Sequence, residues 1–434
     1  MAVGNFGSKP LVLVINDELL KDFYANEVSC QETSPMFINL FKKVLGGSLL
    51  VSTGDRWKRK RKITSHIFNF NYIKSTYGNY QRIVDKKVAA LPEGQSFQLN
   101  LLHFLFEANS LNTVEMFFGG GEEDIENFII DGKNIDIVAS EVNDDAGKQL
   151  RSLLVAIFGP KFTDLGLRKF DRDANRKVKL YKQCLRHFIE KRMEKLREGN
   201  VNQEGKKEDY IERMYKTLEG GEVTPEFITE LVDDFSLLYI AGTDTSSIET
   251  FMLLYYCFSN PKCLEKLREE VDEFIKSDED IREDNIKKMR YLDGVFAETT
   301  RMHSPAIGVF PRCVTKDYFM KEVQIKKDTI VNASFLGTQY NPRIYDEPFE
   351  FRPERWISAD GAKLSPKPYT WLTFSGGPRT CIGRHVAEIL MKIATIKIVK
   401  NFDIEFAPGK MPLLLQGTLY EPGETGVTMK RRND

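Results

Sequence analysis

"FSGGPRTCIGRH", Phe374–His385, sets one cysteine, Cys381, between a Gly-Gly-Pro turn and the apolar stretch "IGRHVAEILMKIATIKIVKN", whose period predicts a helix from Ile382 onward. A sulfur at a helix N-terminus faces unpaired N–H groups and the positive end of the helix dipole, and both favour a thiolate. The glycines before it let the backbone fold closely around the sulfur and aim N–H groups at it. A lone thiolate makes a poor structural zinc site, which takes four ligands. As a catalytic nucleophile it lacks a partner base within the motif. His385, four residues on, lies a full turn into the predicted helix, beyond easy reach of the same centre, and is read as a packed histidine or one on the side of the acidic groups of a bound cofactor.

The chain has 434 residues, 41% hydrophobic and 29% charged, enough to bury a large core. A net charge of −1 gives no global reason to expect nucleic acid as a partner. The six cysteines form no C-x-x-C pair and no dense framework, which points to a reducing compartment. The opening residues lack the apolar core of a secretory signal. The longest apolar runs, such as "FMLLYYCF" at Phe251–Phe258, are shorter than a membrane span, so the chain as given is read as soluble.

Most of the sequence has a helical period. Helices are expected over Phe70–Leu91, Leu101–Gly121, Asp173–Asn200 with an Asp cap, and from Pro261 onward. "TPEFITELVDDFSLLYIAGTDTSSIETFMLLYYCFSN" predicts one very long helix, Pro225 to about Phe258, with Thr224 as N-cap. Strands are few: "PLVLVIND", "RCVTKDYFM", "VQIKKDTIVNASF" and "TGVTMKR". "NVNQEGKKED" is a surface loop. The fold class is mainly α, a single large domain with a long central helix and small β-sheets.

Three further constellations stand out. "AGTDTSS", Ala241–Ser247, puts a glycine, hydroxyls and an acid inside an apolar helix. A mid-helix hydroxyl can take the carbonyl four residues back and loosen the helix there, although a solvent-facing Ser/Thr patch is the commoner explanation. In "AETTRMHSPAI", Glu298 and Arg301 share a helix face, and Arg355 in "FEFRPERW" could complete a buried trio; most such pairs are plain surface ion pairs. In "GDRWKRKRK", Trp57 and Arg61 share a face beside Lys58 and Lys62, where a solvated basic helix is the ordinary reading.

A fifth ligand to haem iron is the role that suits Cys381 best among these, since thiolate donation favours O–O cleavage. The four stretches together, in their order along the chain, resemble the cytochrome P450 haem-thiolate family. "FSGGPRTCIG" fits its F-x-x-G-x-R-x-C-x-G loop through Phe374, Gly377, Arg379, Cys381 and Gly383. "AGTDTS", "ETTR", "FRPERW" and "WKRKR" fit the oxygen-binding, E-x-x-R, meander and W-x-x-x-R motifs.

The resemblance implies Cys381 as the metal ligand of haem b (iron protoporphyrin IX). Phe374 and Gly383 belong to its binding loop, and Trp57, Arg61, Arg312 and Arg379 bind the propionates. It implies a structural network of Glu298, Arg301 and Arg355. Thr245 holds dioxygen and its water by hydrogen bond, with Asp244 aiding proton delivery. Leu238, Ala241, Ile307, Val309 and Leu414 line a pocket for a lipophilic substrate, reached past residues 28–50 and 158–170.

The implied activity is a monooxygenase using molecular oxygen and electrons from an NADPH-dependent flavoprotein reductase, docked near Lys58, Arg59 and Lys62. No nucleic-acid partner is expected. An electron-independent isomerase or dehydratase, or a non-catalytic haem or lipid binder, are the alternatives; the intact Thr245 speaks against both. The sequence begins almost at the family's opening strand, so residues 1–434 are read as the catalytic domain without anchor, hinge or first helix. Endoplasmic-reticulum localisation on the cytosolic face, with residual peripheral membrane contact, is implied by resemblance alone.

Overall fold

The computed structural model describes residues 1–6, 9–68, 70–121, 123, 129–198, 208–416 and 419–432. Helices α1 (Asp17–Ala25), α2 (Pro35–Leu45), α3 (Gly54–Ile67), α4 (Phe70–Ala89), α5 (Leu101–Phe118), α6 (Ile135–Leu150), α7 (Leu153–Phe158) and α8 (Lys169–Arg197) fill its first half. They are followed by α9 (Tyr210–Lys216), α10 (Pro225–Phe258), α11 (Pro261–Phe274), α12 (Glu283–Ile286), α13 (Arg290–Met302), α14 (Leu336–Gln339) and α15 (Arg384–Asn401). The mainly α fold read from the sequence is the fold observed.

The long helix α10 is the axis of the larger core. The Thr224 side chain accepts from the Phe227 N–H at 3.2 Å, and Pro225, which has no N–H to leave unpaired, opens the helix. Phe235, Ile248, Phe251, Leu253 and Leu254 are at most 1% exposed, so the helix is apolar nearly all round because α5, α8 and α15 cover it from several sides. Helix α5 stops where expected, at Gly119 with φ 65°; a Cβ there would come within 2.2 Å of Asp209 Oδ2, so glycine is required twice over.

Strands β1 (Ala2–Phe6), β2 (Lys9–Val14), β3 (Gln31–Thr33), β7 (Arg312–Val314) and β10 (Ile330–Ala333) form a sheet in the order β1-β2-β10-β7-β3. Only β2 and β10 run parallel, with Val12 opposite Val331. A second sheet joins β4 (Phe97–Asn100), β11 (Phe402–Glu405) and β14 (Gly426–Arg431), with β14 central. Short hairpins pair β5 (Ile129–Ile130) with β6 (Lys133–Asn134), β8 (Tyr318–Met320) with β9 (Val323–Ile325), and β12 (Leu413–Gln416) with β13 (Leu419–Pro422). A smaller core of Val12, Val14, Phe23, Val309, Val331 and Phe335 lies against the five-stranded sheet.

Three expectations are corrected. Helix α8 begins at Lys169: Arg168 Nε pairs with Asp171 at 2.6 Å across the first turn, and Asp173 sits inside the helix against Lys169 rather than capping it. Each of the two expected strands around residue 320 is two short strands: the first is interrupted at residues 315–317, the second by a tight turn with Asp328 at positive φ. Helix α15 starts at Arg384, two residues later than its apolar period suggested. The expected loop after Asn200 lies largely outside the described residues.

Candidate active site

The loop around Cys381 is closed by its own backbone. Cys381 N donates to Phe374 O at 2.9 Å, and Thr380 Oγ1 donates to the same carbonyl at 3.1 Å. Gly377 takes φ 64°, and a Cβ there would press on the Tyr24 ring at 2.8 Å. The late helix start has its reason here: the N–H groups of Gly383 and Arg384 turn to the sulfur. Cys381 is reachable by solvent but closely ringed by protein atoms, and that crowding pushes its thiol above the usual range, against the pull of those N–H groups and Arg61. A thiol held so is a weak nucleophile at neutral pH, yet it surrenders its proton on meeting a metal cation.

Beside the sulfur stand the expected cations. Trp57 and Arg61 lie one turn apart on α3, and the Arg379 guanidinium sits 4.4 Å from the centroid of the Trp57 ring. Arg379 Nη2 donates to Ser52 O at 3.1 Å; Arg312 Nη1 donates to Thr33 Oγ1 at 2.9 Å. Burial pulls the Arg379 guanidinium down to about 10 and lowers Arg61 as well.

The Nε atoms of both Arg312 and Arg379 are buried without a partner. The sequence reading missed the buried carboxylate here: Glu27, whose Oε1 accepts from Arg312 Nη2 at 2.8 Å. Glu27 belongs to no motif, so no spacing could have flagged it. Three guanidiniums face one buried carboxylate, with the exposed Glu32 as a second acid acting on Arg379, so positive charge remains in excess and two buried donors are unmet. Two further carboxylates on one ligand fit that deficit.

On α10, Thr245 Oγ1 donates to Ala241 O at 2.7 Å, and Ser247 and Thr250 make the same bond one turn back. Ala241, Gly242 and Thr245 form an accessible stripe in the otherwise buried middle of the helix. Asp244 is buried, on the side that feels Tyr181 of α8.

The Glu298 trio is present and larger than expected. The carboxylate accepts five donors: Arg301 Nε and Nη2 at 2.9 and 2.8 Å, Arg355 Nε at 2.7 Å, Arg352 N at 3.0 Å and Trp356 Nε1 at 2.9 Å. Arg301 is fully buried and also donates to Gln339 O and Pro348 O.

A model of the cytochrome P450 family matches residues 4–429. The chain belongs to the cytochrome P450 family. It is 26% identical to cytochrome P450 3A13 of Mus musculus over 401 residues, 90% of this chain and 75% of that protein. It is also 26% identical to cytochrome P450 3A12 of Canis lupus familiaris over 442 residues, 98% and 83% of the two chains. P450 membership makes a haem-thiolate centre the cofactor class and oxygen-dependent oxidation the reaction class.

The remaining expected P450 positions divide. Leu238 is buried, Ile307 half-buried, Leu414 48% exposed, and Val309 packs into the smaller core. On α3, Lys62 is exposed, Lys58 pairs with Asp55 at 3.0 Å and Arg59 pairs with Glu230 at 2.8 Å. Lys60 corrects the picture of a solvated basic helix: it is 3% exposed and held by Asp234. His385 is exposed, which removes the packed reading and leaves the propionate-side one; His303 is a core histidine, with Nδ1 3.2 Å from Glu249 Oε1.

Proposed function

We propose that this chain is a haem b monooxygenase that inserts one atom of dioxygen into a lipophilic substrate, with electrons from an NADPH-dependent flavoprotein reductase. The observation that carries the reading is the single sulfur, whose anion the Gly383 and Arg384 N–H groups favour, beside an arginine cluster of excess positive charge with two unmet buried donors. Among the described residues no cluster of three His, Cys, Asp or Glu side chains could hold a bare ion, so a metal at Cys381 must bring its other ligands with it.

When bound, the haem supplies the oxidising chemistry. The chain's residues do the rest. Cys381 would be the ligand that donates charge to the metal, and Trp57, Arg61, Arg312 and Arg379 would hold the two propionates. Thr245 offers a hydroxyl proton at Oγ1 on the accessible stripe of α10, and Asp244 supplies the buried acid beside it. Leu238, Ala241, Ile307 and Val309 exclude water and favour an apolar substrate. Glu298, Arg301 and Arg355 fix the segment that leads into the cysteine loop.

Lys62, with Lys58 and Arg59, supplies the cationic face for the reductase. Contact with the endoplasmic-reticulum membrane is carried by Leu153, Phe158, Leu165 and Leu167, each 65–73% exposed. No helix among the described residues is long and apolar enough to cross a membrane.

The deciding experiment is a carbon monoxide difference spectrum of the reduced, hemin-reconstituted chain. A thiolate-type band that vanishes in Cys381→Ser is expected; a colourless wild type, or a band indifferent to that substitution, sinks the reading.

A further inference from the structure

Glu27 stands where the chain needs it least and the cofactor needs it most. Its side chain is 0% exposed, just past the end of α1. Oε1 takes Arg312 Nη2 at 2.8 Å, and Oε2 takes the backbone N–H of Arg379 at 3.3 Å. The seat is built for it. A Cβ on Gly377 would come within 3.2 Å of Glu27 Oε2, and Tyr24, one turn earlier on α1, lies 3.3 Å from Ser375 Oγ through its hydroxyl. One acid thus ties α1, β7 and the cysteine loop together at the point where two propionates are expected.

A pocket made to receive carboxylates gains nothing, for binding them, by keeping a carboxylate of its own. It gains something before they arrive. Arg312 is 5% exposed, and without an anion its charge would be buried uncompensated, beside Arg61 and Arg379. We propose that Glu27 is the resident counter-ion of the propionate-binding arginines: it holds Arg312 and the Arg379 backbone in place in the empty chain, and competes with the propionates for them once haem is bound. This rests on the haem reading above and adds a positioning residue to it.

The two halves of the proposal predict opposite signs. Losing the Glu27 charge harms the apo chain, where it is the counter-ion, and tightens haem, because one negative charge fewer opposes the propionates. A merely structural ion pair would weaken both.

The test compares wild type, Glu27→Gln and Glu27→Asp as full chains, apo and hemin-reconstituted. Thermal midpoints and haem transfer to excess apomyoglobin are measured. In Glu27→Gln the apo midpoint is expected to fall while haem transfer slows by about three- to tenfold, the scale of one screened charge pair. Glu27→Asp, which keeps the charge, is expected to transfer haem at nearly the wild-type rate.

Faster or unchanged haem transfer in Glu27→Gln, or apo and holo midpoints that drop together, overturns the proposal. If Glu27→Gln accumulates only when hemin is fed during expression, the apo state alone has lost its counter-ion, as proposed; failure with hemin too overturns it. A wild type that takes up no hemin removes the haem reading and this proposal with it, and the wild-type control alone identifies that outcome.

Discussion

Lys60 Nζ lies 2.7 Å from Asp234 Oδ2, both side chains at most 5% exposed, and this contact bolts α3 to the start of α10. Glu230 adds a second carboxylate 2.8 Å from Lys60, and the Tyr210 hydroxyl donates to Asp234 at 2.9 Å. The helix bearing Trp57 and Arg61 is thereby fixed to the helix bearing Thr245. Lys60→Met leaves Asp234 buried without its cation and is expected to cost about 3–5 kcal/mol in urea unfolding. Adding Asp234→Leu should recover much of that, since an apolar pair can replace a buried ionic one. A single-variant loss below about 1 kcal/mol, the range of an exposed pair, would show that the joint does not matter.

Glu298 gives a sharper case. Its five donors leave no room for an amide, which presents one oxygen and turns an NH2 group toward N–H groups. Glu298→Gln is expected to lose about 3–5 kcal/mol and to give little folded chain at 37 °C. Arg355→Lys keeps a charge but not the fork, and should cost less. Thermal melts in which both variants match wild type would refute the argument.

The two variants also show what the sequence could and could not tell. The Glu298–Arg301 pair was legible because three residues on a helix is a contact by geometry. Trp356 was not, since its bond to Glu298 spans 58 residues and depends on how the turn at Pro353–Trp356 docks. Thr224 and Pro225 marked the start of α10 to the residue, because capping is local chemistry. Lys60 defeated the pattern: among basic neighbours it reads as surface, and only the tertiary position of Asp234 buries it. Glu27 was silent for the same reason, as its partners are 285 and 352 residues away.

Of the three cations expected to meet a reductase, Lys62 is exposed and makes no ion pair among the described residues, while Arg59 is held by Glu230 and Lys58 by Asp55. Lys62→Glu is therefore expected to lower reductase-driven turnover several-fold at low ionic strength, with the gap to wild type shrinking as salt screens the encounter. Haem content should not change. Turnover that ignores both the substitution and the salt would remove this face from the docking surface.

Thr245→Ala deletes the hydroxyl now bonded to Ala241 O and leaves that carbonyl to the helix ladder. The chain should fold and load haem as before, because the hydroxyl holds up no buried contact beyond its own turn. Product formation is expected to fall roughly tenfold or more while nicotinamide oxidation continues, with the missing electrons appearing as peroxide. Coupling that stays at the wild-type level would reduce the polar notch to a helix irregularity.

Glu249 and His303 make a pH prediction that needs no cofactor. Burial raises the Glu249 carboxyl above its ordinary 4.5, and the His303 ring at 3.2 Å pulls it back only in part. Tyr256 and Tyr340 are the other groups that feel its charge. The folded chain therefore holds this proton more tightly than the unfolded chain does. Its contribution to stability is complete below pH 4.5 and drains away as pH rises through the folded value. Glu249→Gln cannot titrate, so urea midpoints of the apo chain should shift in the variant's favour, relative to wild type, as pH goes from about 4.5 to 7. His303→Gln removes the group that holds the carboxyl down, so its own midpoint should fall with pH more steeply than that of wild type. A constant gap between wild type and Glu249→Gln across that range would mean the carboxyl titrates alike in both states.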